Sequence, residues 1–308
     1  MTAKEMYILR KGKSAHSSGM IEDKSPLSII ADVVLIVILF GVAFSSVIPL
    51  WHVLMASLSE GQLLFAHSGL VILPVGKLNF EGFKLVLQNN SILLGYLNTI
   101  LYVIGNVAFG FVLNVIGGYV LSRRTKLNSF LKLFVVFTIL FTGGTVPLYM
   151  VVRSLGMVGT RWSLIIPHCT NAAFLIMMVK AFESVPEETV EAARMDGAGD
   201  LRIMFQIMLP QCFSFALVTM VNTGIFAWNA WFSASIYVPT DKNLWPLQLW
   251  IRDLVASNRD FMNWTNPDYS RFLVQYSVIV LATFPVLMMF PFFIRQLEKG
   301  MAQGAVKG

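Results

Sequence analysis

Six stretches of this 308-residue chain contain no Asp, Glu, Lys or Arg: Val33–Leu58, Ser91–Ser122, Leu133–Val152, Trp162–Val179, Ile203–Thr240 and Phe272–Ile294. Each is near or above the roughly 20 residues a helix needs to cross a bilayer. Lipid offers backbone amides no hydrogen-bond partner, so each crossing has to be a helix. Composition agrees: 56% of residues are hydrophobic and 13% charged, against roughly 25% charged in soluble domains. The expected fold class is therefore an all-α membrane protein with six transmembrane helices. The first stretch does not read as a cleavable signal peptide. It follows about two dozen mostly polar residues, is too long for an h-region, and lacks a small-residue cleavage pattern.

Lys and Arg near the spans set the expected orientation. With the N-terminus inside, segments 1–25, 122–132, 180–202 and 295–308 face the cytoplasm and carry 15 of the 23 basic residues. Segments 59–90, 153–161 and 235–271 face out and carry 8. Both termini are then cytoplasmic. The domain plan is an N-terminal cytoplasmic segment 1–25, a six-helix membrane domain 26–296 and a cytoplasmic tail 297–308. Within the domain, 184–210 is an inner connection between helices 4 and 5, and 235–271 an outer loop. The net charge of +6 follows this bias. Because the basic residues flank spans and form no patch, a nucleic-acid partner is not expected.

The fifth stretch is 38 residues, nearly twice a crossing. A simple helix would end before Phe226–Pro239, placing the excess at the outer mouth or folded back against the pore. Beyond it, Leu247, Trp250, Ile251 and Leu254 recur at helical spacing, which predicts a short amphipathic surface helix within Trp245–Ser257. Trp245, Trp250 and Trp264 fit interfacial anchors. Cys169 and Cys212 fall in or beside spans and read as buried thiols. No metal-ligand spacing links them to His16, His52, His67 or His168, and His168 reads as a core or pore-lining residue.

The inner connection is the one place where charges gather. Ser184 and Glu187 have capping-box spacing with Pro186 in the first turn, predicting a helix from there. Gly197 can take the left-handed conformation that stops it. A second helix with Leu201, Phe205, Met208 and Leu209 on its apolar face would lead through Pro210 into span five. A plain connector would need no cap, stop and restart. The expectation is a cytoplasmic helix–turn–helix that meets a partner.

Its residues, Glu191, Ala192, Ala193, Gly197, Ile207, Leu209 and Pro210, resemble the EAA motif of ATP-binding-cassette (ABC) importer permeases in identity and spacing. Small Ala192 and Ala193 would let a partner approach the helix, and Glu191 and Asp196 would offer carboxylates to basic residues. Phe141–His168, Phe226–Val238 and Trp245–Leu254 resemble the carbohydrate (MalG-like) permeases, closest to the LplC/YtcP type for oligo- and polysaccharides. The tail, with Gly300, Gly304, Lys307 and Gly308, is similar to one that reaches the ATPase pair. The resemblance implies a non-catalytic permease subunit in the bacterial inner membrane. Its partners would be a second homologous permease, two ATP-binding-cassette ATPases and an extracytoplasmic sugar-binding protein. Cofactors bound by this chain would be none, with ATP and Mg held by the ATPases.

The residues themselves say why the energy source lies elsewhere. The lone Gly-Lys-Ser, Gly12–Ser14, has Tyr7 where a P-loop needs its first Gly. The spans also lack the charged residues that mark ion-coupled carriers. For the substrate path, sugars present apolar ring faces and hydroxyls, which aromatic platforms and amides suit. Trp228, Asn229, Trp231, Phe232 and Tyr149, with Asn171 and Asn222 nearby, are the candidates. An oligosaccharide substrate, including polysaccharide-derived or acidic ones, is the leading expectation. An ABC permease for a non-sugar solute or an ion-coupled secondary carrier are the alternatives.

Overall fold

The computed structural model describes residues 26–123, 125–257 and 269–305, and among these the regular elements are all helices, without strands. It divides into two compact units, residues 1–52 and 53–308. The first holds most of helix α1, Pro26–Ser57, whose apolar residues run all round it and which contains Pro49. In the second unit, the last turn of α1 buries Met55 and Ala56 against Leu64 of α2 (Gly61–Ala66), Val71 and Leu273. Helix α3, Glu81–Gln88, follows.

Helix α4, Asn90–Ser122, is the spine. Asn89 caps it by accepting a hydrogen bond from the Ser91 amide. At one end Asn98 donates to the carbonyls of Asn243 (2.7 Å) and Trp245 (3.1 Å), and Tyr102 to that of Leu244 (2.7 Å). At the other end, 17 residues on and roughly 26 Å away at about 1.5 Å per residue, Tyr119 meets residues 190–209. Buried amides and hydroxyls act as glue where apolar surface gives no preference over lipid. Asn106 donates to the carbonyl of Leu164, and Thr170 donates to Asn114 Oδ1 at 2.7 Å. At Gly110 the backbone of α4 lies against the Cys169 carbonyl, where any Cβ would collide with that oxygen.

Three of the six apolar stretches are broken rather than continuous helices. Leu133–Val152 divides into α5, Lys126–Leu140, and α6, Thr145–Ser154, bent by 116°. The Gly143-Gly144 pair allows it: Gly144 sits at φ +83°, open to glycine and strained for other residues. Trp162–Val179 becomes α7 (Trp162–Ile165), a 3₁₀ turn Ile166–His168 and α8 (Ala172–Glu183), with a 47° bend. Pro167 and the Asn171 cap, whose side chain accepts from the Ala173 amide, account for it. Ile203–Thr240 divides into three helices. After α9, Glu187–Met195, comes α10, Asp200–Gln211, then α11, Phe213–Trp228, turned by 84°, then α12, Trp231–Tyr237. The helix expected to end before Phe226 starts at Phe213, after the bend, and runs on to Trp228. Continuous helices long and apolar enough to cross a membrane are found in α1 and α4, with up to three more crossings if each bent pair is one span. The sixth stretch lies within α14, Tyr269–Ala305.

The predicted surface helix exists as α13, Leu247–Ser257. It is a structural member of the bundle more than a surface element. Leu247 and Leu249 are buried, and Trp250, Ile251 and Leu254 pack against the bundle. Trp245 is buried with its indole donating to the Val238 carbonyl at 2.9 Å, so it is no interfacial anchor. Trp264 lies outside the described residues. Cys169 and Cys212 are both buried free thiols.

Candidate coupling and transport site

Residues 184–210 form a helix–turn–helix, and two details differ from the sequence reading. Ser184 closes α8 by donating to the Ala181 carbonyl, and the N-cap of α9 is Pro186. The stop after α9 is as expected. Gly197 has φ +78°, its amide donates to the Arg194 carbonyl and the Ala198 amide to that of Ala193, each at 3.0 Å. This pair of bonds is a Schellman motif, which satisfies carbonyls the helix end would otherwise leave unpaired.

The second correction concerns α10. Its buried residues are Ile203, Met204, Met208 and Leu209, while Leu201 and Phe205 are 72% and 45% exposed. The middle of α10, Ile203–Met208, is a π-helix. Its i→i+5 bonds move the buried stripe to a spacing of five, which turns Leu201 and Phe205 outward.

The motif therefore has two faces. Ala193 and Leu209 are buried, and Ile207 is half-buried, against Val115 and Tyr119 of α4 and Phe182 of α8. Ala193 is thus covered by its own chain, whereas Ala192 remains open. Glu191, Ala192, Asp196, Gly197 and Pro210 are exposed. With Met195, Leu201 and Phe205 they combine carboxylates and uncovered apolar side chains. A fully buried Ile contributes roughly 1.5–3 kcal/mol where the alternative is water, so Ile203 and Met204 hold this element firmly.

A polar contact adds to the seat, and it was not read from sequence. Tyr119 donates its hydroxyl to Asp200 Oδ1 at 2.8 Å, Arg194 lies 3.5 Å from the same oxygen, and the Arg123 guanidinium stacks 4.3 Å from the Tyr119 ring. The Tyr119 hydrogen bond, then Arg194, holds the Asp200 carboxyl below the usual carboxylate range. A depressed folded value means the bond contributes fully above the ordinary Asp pKa of about 3.9 and is lost as pH falls through the lower folded value. Hydrogen-exchange protection of the α10 amides, corrected for intrinsic rates, should be flat from about pH 5 to 8. A loss of protection centred near about pH 6 would contradict the assignment.

At the other end, the substrate-path candidates separate. Trp228 packs toward Tyr96 of α4, ring centroids 6.5 Å apart, beside an apolar groove that includes Val103, Val107 and Val286. Asn229 is exposed and bonds back to Ile225, as Asn222 does to Val218. Trp231 carries the Arg252 guanidinium 4.4 Å above its ring. Tyr149 stacks on Tyr237, centroids 6.1 Å apart, and Phe232 lines a different cavity from Trp228. That cavity, about 510 Å³, also receives His168. Neither Arg161, which bonds Asn98 at 2.7 Å, nor the Asn98 ladder was singled out from sequence. Polar residues inside apolar stretches were the available signal.

Of the tail residues, Gly300 and Gly304 lie on α14, helical as far as Ala305, whereas Lys307 and Gly308 lie outside the described residues.

Protein LplC of Bacillus subtilis (strain 168) is 31% identical over 286 residues, 90% of this chain and 95% of that protein. The chain belongs to the carbohydrate ABC transporter permeases. This permease is also 30% identical, over 86% of its length and 94% of the relative's, to the polygalacturonan/rhamnogalacturonan transport system permease protein YtcP of the same organism. No family model matches the chain. A crystal structure of a bacterial ABC transporter involved in the import of the acidic polysaccharide alginate contains a similar fold. It superposes with a TM-score of 0.79 at 28% identity, across 88% of the permease and 98% of that chain. The permease is thus a multi-pass protein of the bacterial cytoplasmic membrane. In such systems ATPase activity belongs to partner subunits.

Proposed function

We propose that this permease is one membrane half of an importer that moves acidic, polysaccharide-derived oligosaccharides into the cytoplasm by ATP-driven alternating access. Its other half is a second homologous permease, two ATPases bind ATP and Mg, and an extracytoplasmic binding protein delivers the sugar. The observation that carries the reading is the two-faced helix–turn–helix, with one face buried on its own bundle and the other uncovered. An element seated this way moves its bundle when a partner moves it. The acidic preference rests on YtcP, named for polygalacturonan/rhamnogalacturonan transport, and on the structure involved in import of the acidic polysaccharide alginate.

In this reading there are six crossings: α1, α4, α5 with α6, α7 with α8, α11, and α14. Both termini are cytoplasmic, which the excess of Lys and Arg at segments 1–25, 122–132, 180–202 and 295–308 supports. Glu191, Ala192, Asp196, Gly197 and Pro210 face the ATPases, while Ala193, Ile207 and Leu209 anchor the loop. Cells expressing the full complex should take up trigalacturonate, and neither maltotriose nor an amino acid should compete. Competition by the amino acid would sink the saccharide assignment, and competition by maltotriose the acidic one.

The tail around Gly300, Gly304, Lys307 and Gly308 contacts the ATPase pair. Deleting 300–308 removes no apolar crossing, so insertion should survive while assembly with the ATPases or their hydrolysis falls. Unchanged assembly and hydrolysis would reduce the tail to a loose end.

A further inference from the structure

We propose that this chain itself holds one pyranose unit of the transported oligosaccharide, in the cavity where three of its helix breaks converge. The cavity of about 510 Å³ is lined by Thr142, Gly144 and Thr145 from the α5/α6 break, His168 from the α7/α8 break, and Phe232 and Ser233 just past the α11/α12 break. Its size falls within the ~300–1,000 Å³ of small-molecule sites. The inference rests on the sugar-import reading and adds where this subunit touches the sugar.

Interrupting a helix at membrane depth leaves backbone groups unpaired, which is tolerated only where they are buried in protein or line a cavity. Transport folds use discontinuous helices in this way to meet their substrates. Here one break would be incidental; three on one cavity bring hydroxyl, imidazole and helix-end backbone groups to a lining that is otherwise apolar. The N-cap of helix α6 is Gly144, which has no side chain to cap it. Its first amides therefore lack the partner a capping side chain would give. Nε2 of His168 is buried and has no hydrogen-bond partner among the described residues. The hydroxyls of Thr142, Thr145 and Ser233 add groups that both donate and accept.

Phe232 supplies the other half of sugar recognition. It is 51% exposed and touches Trp231 edge to face, 5.6 Å between centroids, leaving surface on which the C–H face of a pyranose can stack. No Lys or Arg is among the lining residues. The cavity thus reads the ring and its hydroxyls, and selection for a carboxylate falls to other parts of the transporter. The apolar groove beside Trp228, about 470 Å³, lacks such a set of polar groups and does not suit a sugar.

The test uses the assembled complex in proteoliposomes with trigalacturonate and its loaded binding protein. Phe232→Ala and His168→Ala should each raise the KM for uptake about two- to tenfold at normal complex abundance, the scale of one lost stacking or hydrogen-bond contact. Phe232→Tyr should restore the wild-type KM. Thr145→Cys, in a chain whose native cysteines are both buried, should react with a small thiol reagent more slowly when trigalacturonate is present. Wild-type KM in both alanine variants, together with equal labelling with and without sugar, would overturn the site while leaving sugar import intact. A wild-type complex that imports no saccharide would instead remove the proposed function, and this inference with it.

Discussion

Gly197→Val should leave the complex assembled and hydrolysing ATP while uptake drops by about 5- to 30-fold. Gly197 stands at φ +78° with open space where a Cβ would lie, so the substitution meets no steric obstacle. What it meets is the left-handed region, which costs a residue with a Cβ roughly 1–2 kcal/mol, and a β-branched one more. That energy, a factor of about 5–30, weighs on the turn joining α9 to α10, which orients the uncovered face relative to the buried one. Gly199 provides the control. It too has open space around it, but its φ is −73°, so Gly199→Ala should be tolerated. The paired comparison separates backbone conformation from crowding. Equal uptake by Gly197→Val and Gly199→Ala would mean that the turn geometry has no part in coupling.

Leu201→Asp and Phe205→Asp should abolish stable association with the ATPases without harming the permease. Both side chains are turned out by the π-segment of α10 and are exposed on the chain alone. Placing a carboxylate there costs the isolated fold little. In an interface core a lost apolar anchor costs about 2 kcal/mol or more, roughly 30-fold in affinity, and a buried unpaired charge costs more. Co-purification of the ATPase with the tagged permease measures it. Ile203→Asp is the contrasting variant: Ile203 is fully buried under α4 and α8, so it should reduce the amount of folded permease. Wild-type ATPase recovery with Leu201→Asp and Phe205→Asp would mean that the partner meets a different face.

The sequence carried the helical class, the position of every apolar stretch, and the Gly197 stop, because uncharged length and a glycine after a helix are local signals. It also carried the motif positions, but not which of them are covered. Ala192 and Ala193 are chemically identical and adjacent, and only packing on Val190 and Tyr119's cluster decides that Ala193 is buried. The outward turn of Leu201 and Phe205 was hidden for a related reason. An assumed 3.6-residue period places them with Met208 and Leu209, and a π-helix does not keep that period. The breaks at Gly144 and His168 read in the sequence as continuous spans, since hydropathy is blind to a bend between two apolar halves. Aromatic candidates such as Trp228 and Phe232 are near in sequence yet line different cavities, four residues apart across the α11/α12 break.

ATP-dependent accumulation of sugar tests the central claim most directly. Reconstituted vesicles would hold the permease, its partner permease and the ATPases, with radiolabelled trigalacturonate and binding protein supplied on the face opposite the ATPases. The account predicts accumulation against a gradient that requires ATP on the ATPase side, requires the binding protein, and falls about 5- to 30-fold in Gly197→Val. Equal accumulation without ATP, driven instead by an imposed ion gradient, would contradict it.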